Sequence, residues 1–285
     1  MKLGVLGLIE SDLTDVDYNM IRWAADLGFH GLGAHLTVPA NTISDDTAAT
    51  VKATIDDQAL DFLQLWGPYP CIISPDERVR QAGVNGAREI VKLAAKMSVP
   101  AAGVRPTSLN PRGDWWPHPD NYSPDTEDRF VQSLREILQT ADDYSVNIIL
   151  ETHTTTVLNT PQRIKQIIER AESDRVKINL DPVNFVGDLP TAFDQVPLID
   201  ELFNVLGPYA DTVHVKDFYV EDRFVVHISE TIPGTGMVNL EHVLRHIQEL
   251  SPDMYAIIEH LPLSQIPLAK RNLTQKIQQL GLLLG

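Results

Sequence analysis

With 285 residues, 43% of them apolar, the chain is long enough to bury one large core without staples. Its single cysteine, Cys71, excludes an intrachain disulfide framework and fits a reducing compartment. The 39 acidic residues against 23 basic give a formal net charge of −16, a field that repels phosphate backbones and argues against a nucleic-acid partner.

Short β-rich runs alternate with amphipathic stretches along the chain. KLGVLGL from Lys2 reads as the first strand; it runs on into IESDLTD, whose acids arrive too early for the apolar region of a signal peptide. A helix follows from Asp17 to Leu27, closed by Gly28, and then the strands GLGAHL from Gly31 and DFLQLW from Asp61. Cys71, in GPYPCIIS, suits packing better than nucleophilic chemistry. Proline and acids open a helix over Pro75 to Met97, which leads to the strand AAGVRP from Ala101. Next comes a long segment, PTSLNPRGDWWPHPDNYSPDTED, rich in proline and aromatic residues.

The fifth strand is NIILET, and Thr160-Pro161 opens a helix to about Ser173. VKINLD and TVHVKD are the sixth and seventh strands. FYVEDRFVVHISETIPGTG then reads as a β-hairpin with Glu221-Asp222 at its turn, followed by a glycine turn. A helix over Asn239 to Leu250, the strand AIIEHL and a helix over Ile266 to Leu283 complete the pattern. No run approaches the roughly 18 apolar residues of a membrane span, so no membrane partner and a cytoplasmic setting are expected.

Eight strand and helix units without a linker predict one α/β domain over residues 1–285. Such units wind either into a closed (β/α)8 TIM barrel or into an open doubly wound sheet. A nucleotide-binding open sheet needs a glycine-rich turn after its first strand, and GVLGLIESD carries acids there instead. The closed barrel is the expectation.

Barrel enzymes build their sites at the C-terminal ends of the strands. Four consecutive ends carry ligand-type side chains: Glu151 in NIILETH, Asp181 in INLDPVN, His214 in VHVKD and Glu259 in IIEHL. A single acid at a strand end is usually a helix cap or a solvated loop residue. Four at matching depth, each behind apolar residues, point instead to one shared divalent cation that offsets their desolvation. Three carboxylates and an imidazole suit Mn²⁺, Mg²⁺, Co²⁺ or Zn²⁺, and the absence of thiolates argues against structural zinc or iron–sulfur.

Several neighbours complete the expected pocket. His153, two residues past Glu151 and on the same side of an extended chain, suits a substrate hydroxyl or a structural role. Lys216 bears the same relation to His214, placed for a substrate hydroxyl, carboxylate or phosphate, or for a salt bridge. Arg105, at the end of the fourth strand, suits an anion clamp or a surface ion pair. Trp115, Trp116 and His118 lie where a lid would cover the pocket or where a partner subunit would pack, and Arg223 fits ordinary turn chemistry or, less readily, a reach into the site.

In this order the segments ETH, LDPVN, HVKD, PGTG and IEH resemble the xylose isomerase-like barrel superfamily of sugar and sugar-phosphate isomerases and epimerases. The motifs cover roughly the second half of the chain; the first half matches in layout. The resemblance implies that Glu151, Asp181, His214 and Glu259 bind the metal, and that Glu151 and Glu259 act as acid and base on a metal-bound hydroxy-ketone of a sugar or polyol. It also implies a homo-oligomer, a dimer or tetramer. Asn184 departs from the pattern of the ketose epimerases, which carry histidine three residues after this aspartate; asparagine still offers a donor and an acceptor to a substrate hydroxyl.

Proton abstraction beside a carbonyl serves isomerase, epimerase and dehydratase alike, so an inosose or dehydroshikimate dehydratase-like lyase is the alternative. The abasic-site endonuclease branch of the superfamily needs a basic groove that this charge does not supply. A ligand-binding barrel without turnover is the alternative outside enzymes.

Overall fold

A computed structural model describes residues 1–285. Eight strands close into a parallel barrel: β1 (Lys2–Ser11), β2 (Gly31–Leu36), β3 (Asp61–Trp66), β4 (Ala101–Val104), β5 (Asn147–Glu151), β6 (Val176–Leu180), β7 (Ala210–His214) and β10 (Tyr255–Ile258). Each pairs with its sequence neighbour, and β1 closes the ring against β10 through pairs such as Leu3 with Ala256. Continuous buried runs such as Ile148 to Glu151 are what a parallel sheet covered on both faces demands. The expectation of a closed (β/α)8 barrel is met.

The outer layer consists of α1 (Tyr18–Asp26), α2 (Asp45–Asp56), α3 (Glu77–Lys96), α4 (Pro124–Tyr144), α5 (Pro161–Ala171), α6 (Leu189–Phe193), α7 (Val196–Leu206), α8 (Leu240–Leu250) and α9 (Ile266–Gln279). Buried Val84, Ala87, Ile90, Val91 and Ala94 recur at helical spacing along α3 and turn one stripe onto the strands. An apolar cluster of 67 buried residues fills the space between strands and helices.

Local signals set several boundaries. Thr160 accepts from the backbone N–H of Arg163 at 3.3 Å and Pro161 starts α5, as read from Thr160-Pro161; Glu172 in the left-handed conformation ends it just short of the expected Ser173. The end of the long proline-rich segment is not loop: Ser123 caps Thr126 and Pro124 opens α4. The expected seventh strand is divided. Its barrel part ends at His214, and Asp217 begins β8 (Asp217–Val220), which pairs antiparallel with β9 (Ile228–Thr231). The turn of this hairpin lies beyond Glu221, whose N–H donates to His227 O at 2.9 Å, so Glu221 belongs to the paired arm and Asp222 to the turn.

Inside the ring the residues form layers. Leu6, Leu63 and Ile257 meet across the interior from β1, β3 and β10. A polar layer joins Gln64 to Asn179 and Thr212: Gln64 Nε2 donates to Asn179 Oδ1 at 2.8 Å and to Thr212 Oγ1 at 2.9 Å. Trp66 donates its indole N–H to Gln64 Oε1 at 3.1 Å, and its ring takes the space where a Cβ on Gly103 would stand, 2.0 Å away. Only glycine at 103 admits that indole.

Candidate metal centre

Glu151 and His214 are the last residues of β5 and β7; Asp181 and Glu259 follow β6 and β10 directly. Parallel strands end at one level, so closure of the ring brings the four side chains together, all buried, with ligating atoms within 4.8 Å of one another. His214 Nδ1 stands 2.8 Å from Glu259 Oε1 and 3.8 Å from both Glu151 Oε1 and Asp181 Oδ2. Lys216 Nζ stands 2.7 Å from Asp181 Oδ2 and 2.5 Å from Glu259 Oε1. Short as these approaches are, Asp181 Oδ2, both His214 ring nitrogens and Glu259 Oε1 have no hydrogen-bond partner. Opposite charge on His214 and Lys216 holds these carboxylates together in one small volume.

The remaining oxygens are held from behind. Glu151 Oε2 accepts from Asn179 Nδ2 at 3.0 Å, which ties it to the polar layer inside the barrel, and Oε1 accepts from Asn184 Nδ2 at 3.1 Å. Asn184 also accepts from Lys216 Nζ at 3.3 Å through its Oδ1, so it links Glu151 to Lys216. Asp181 Oδ1 accepts from the backbone N–H of Val183 at 3.0 Å. Just past Lys216, buried Asp217 accepts from Gly234 and Gly236 at Oδ2 and from Phe218 and Val238 at Oδ1, each at 2.9 Å. The PGTG segment is therefore a backbone cradle for Asp217, and it anchors the hairpin base beside the site.

Charge in this buried cluster is uneven. Burial, with the charges of Glu259 and Asp181, pushes the Glu151 carboxyl up to about 7 against the pull of His214 and Lys216. Burial acts in the same sense on Glu259, but the charges of His214, Lys216 and His260 outweigh it and hold that carboxyl well below the usual range. Burial works to lower His214, and Glu259 and Glu151 reverse it, raising the imidazole to about 9. Lys216 is likewise held protonated by Asp181, Glu259 and Glu151 against its own desolvation.

Above the cluster opens a cavity of about 520 Å³ whose wall includes Glu151, Glu259, Lys216, Asn184, His153, Arg105 and Trp115. Of the expected pocket residues, His153 accepts from Thr155 N at 3.1 Å and packs against the Trp115 ring at 6.0 Å. Arg105 pairs with Asp114 at 2.5 Å, donates to Gly67 O at 3.0 Å and lies over Tyr69, so its charge is already matched. Trp116 and His118 stand outside this cavity: Trp116 lies under Arg112, and His118 accepts from Asp120 N at the start of a short 3-10 turn. Arg223 pairs with Glu221 in the hairpin turn.

The wall also holds Glu10, His35, Glu230 and His260. The strand-end rule applied to the first two strands finds Glu10 and His35 in LGLIES and GLGAHL. Glu230 had no such signal, because the fold of the hairpin brings it to His260 Nδ1 at 3.3 Å. His260 sits at φ +59°, a conformation that turns its ring back toward Glu230.

The donor set and its unpartnered buried atoms fit a hard or borderline divalent cation: three carboxylates supply anionic oxygens, and His214 one nitrogen. A family model described as the xylose isomerase-like TIM barrel matches residues 21–275. The chain belongs to the xylose isomerase-like TIM barrel family. Solved structures share this barrel across nearly the whole chain. A D-tagatose 3-epimerase-like protein superposes with a TM-score of 0.76 at 21% identity, covering 99% of this chain and 98% of that one. A xylose isomerase-like TIM barrel protein from Mycobacterium smegmatis, in complex with magnesium, gives 0.73 at 18% identity, covering 98% and 96%. The probable 3-DHS dehydratase AsbF from Bacillus anthracis gives 0.72 at 16%, covering 98% and 99%. An uncharacterized protein of Methanocaldococcus jannaschii is 25% identical over 191 residues, 66% of this chain and 59% of that protein's length. No helix is long and apolar enough to cross a membrane.

Proposed function

We propose that this chain is a divalent-metal-dependent isomerase or epimerase of a sugar or related polyol, with Glu151, Asp181, His214 and Glu259 as metal ligands and Glu151 and Glu259 as the acid and base. The observation that carries this reading is the convergence of four buried ligand side chains, with unpartnered atoms, at the floor of a cavity sized for a small molecule. When bound, a cation there supplies electrophilic stabilisation of negative charge that develops on substrate oxygen.

The chain's own residues supply the rest. Glu151 and Glu259 come from β5 and the end of β10, with β6 and β7 between them in the ring, and both face the cavity. One carboxylate takes a carbon-bound proton and the other returns one. Asn179 and Asn184 hold Glu151 at both oxygens, which fixes its direction. Lys216 keeps a permanent positive charge beside Glu259. With Arg105 matched by Asp114 and with Glu10 and Glu230 in the wall, the cavity favours an uncharged polyhydroxy ligand over a phosphorylated one. His153, Asn184 and Trp115 are its polar and aromatic contacts. One divalent ion among Mn²⁺, Mg²⁺, Co²⁺ and Zn²⁺, a cytoplasmic setting and a homo-oligomer belong to the same proposal, tested by metal reconstitution, localisation and sedimentation.

The dehydratase reading has one observation in its favour. Lys216 places an ammonium 2.5 Å from Glu259, a fixed positive charge beside a base, and such a charge can stabilise the negative charge on a departing hydroxyl. The deciding experiment incubates metal-loaded protein in deuterium oxide with ketoses, aldoses and cyclitol ketones. Deuterium at a carbon beside the carbonyl, without an enone chromophore, supports isomerase or epimerase chemistry. Enone absorbance supports the lyase, and absence of both across the panel overturns the enzymatic reading.

A further inference from the structure

A second group of ligand side chains lies on the outside of the barrel, between α7 and α8. His242 and His246 are four residues apart on α8, so both imidazoles leave the same face of the helix. Asp200 on α7 meets them: its Oδ1 is 2.6 Å from His242 Nε2 and 2.9 Å from His246 Nε2. The three ligand atoms lie within 4.8 Å of one another.

We propose that Asp200, His242 and His246 form a second metal site, one that takes a divalent transition ion of the zinc type and bridges the two helices. Two imidazoles and one carboxylate are a nitrogen-rich set, which zinc, nickel and copper prefer over magnesium or manganese. The ring of His246 is fixed by stacking on Phe203, with centroids 4.7 Å apart and planes 13° apart, so its Nε2 is already aimed. Its other nitrogen, Nδ1, lies 3.7 Å from Glu249 Oε2, too far for a hydrogen bond but close enough for the acid's charge to favour a cation there. Donor atoms around tetrahedral zinc lie roughly 3.3 Å apart, given bonds of about 2.0 Å, so separations must grow by roughly 0.4 to 0.7 Å to open the site, within reach of side-chain rotation. Asp200 is 43% exposed and the two histidines 28% and 19%, which gives an ion a direct path in and leaves a coordination position to water.

The site differs from the barrel centre in place and in chemistry, so the two can be separated. Chelator-treated protein would be loaded with Zn²⁺, desalted, and its metal content measured against protein for the wild type, His246→Ala, Asp200→Asn, Asp181→Asn and the Asp181→Asn/His246→Ala pair. The expected contents are two ions per chain in the wild type, one in each single variant and none in the pair. In Asp181→Asn, Zn²⁺ should also raise Tm, and this rise should vanish in the pair. One ion in both the wild type and His246→Ala, or two in both, would overturn the proposal. Asp200→Asn preserves shape and gives the same readout should the alanine variant fold poorly.

Discussion

The barrel centre and the α7–α8 face both gather histidine and carboxylate, and they handle charge in opposite ways. At the centre Asp181 is fully buried, His214 nearly so, and the facing atoms lack hydrogen-bond partners. At the face Asp200 is half-exposed, and two hydrogen bonds from histidine satisfy its oxygen and hold its carboxyl below the usual range. The difference teaches that burial, more than residue type, sets how far a carboxylate needs an opposing charge. Water and an N–H can satisfy a carboxylate at the surface; in the interior it needs an opposing charge, as Lys216 gives Asp181 and Glu259.

The largest expected effect belongs to the interior acids. Glu259→Gln or Glu151→Gln should lower deuterium exchange by about 100- to 10,000-fold, the usual worth of a positioned acid or base. Turnover within a fewfold of the wild type would break the comparison by making the centre as tolerant as the surface. Next is metal removal. Chelation should lower stability, by about 3 kcal/mol relative to a state with free cation a hundredfold above its Kd, and readdition of Mn²⁺ or Mg²⁺ should restore Tm. Equal Tm with and without chelator would contradict a cation-dependent interior.

A third effect concerns His35, which stacks on Trp66 with centroids 5.8 Å apart, its Nδ1 buried without a partner. Burial lowers its pKa from 6.5 to about 4. Between these values the unfolded chain binds the proton and the folded chain does not, so stability is full above about pH 6.5 and falls as the pH drops toward 4. From pH 7 to pH 5 the loss is about 2 kcal/mol. Urea melts of the wild type and His35→Gln at the two pH values should show the smaller loss in the variant; parallel losses would remove His35 from the account. The smallest effect is at the surface: without metal, Asp200→Asn should change stability by less than about 1 kcal/mol in the same melts, as solvated pairs do. A larger loss would show that the α7–α8 face behaves like the interior.

Much of the ring was legible before its closure. Strand runs such as NIILE and VKINL are apolar, short and bounded by turn residues, and each ends on or just before an acid of the central cluster. The helix over Asp17 to Leu27 was readable from its cap and its closing glycine, and Asp17 does cap Met20. Less legible were α2, α4 and α7, which lay between stronger signals, and the split of TVHVKD. A run of residues with strand propensity does not show where a chain leaves one sheet and enters another. Trp115 and Trp116 are adjacent in sequence, yet one lines the cavity and the other lies under Arg112. Neighbours in a loop share no periodicity that tells inward from outward.

By itself, the sequence determined the α/β alternation, the eight strands and the four strand-end side chains that meet at the barrel centre, because period, propensity and strand-end chemistry are local properties of the chain. Only the tertiary structure decided which side chains share a neighbourhood. It set Lys216 between Asp181 and Glu259, joined Gln64 to Asn179 across the ring, brought Glu230 to His260 and laid Asp200 against His242 and His246. These contacts join residues tens of positions or more apart, and their energies depend on burial and direction, which exist only once the ring has closed.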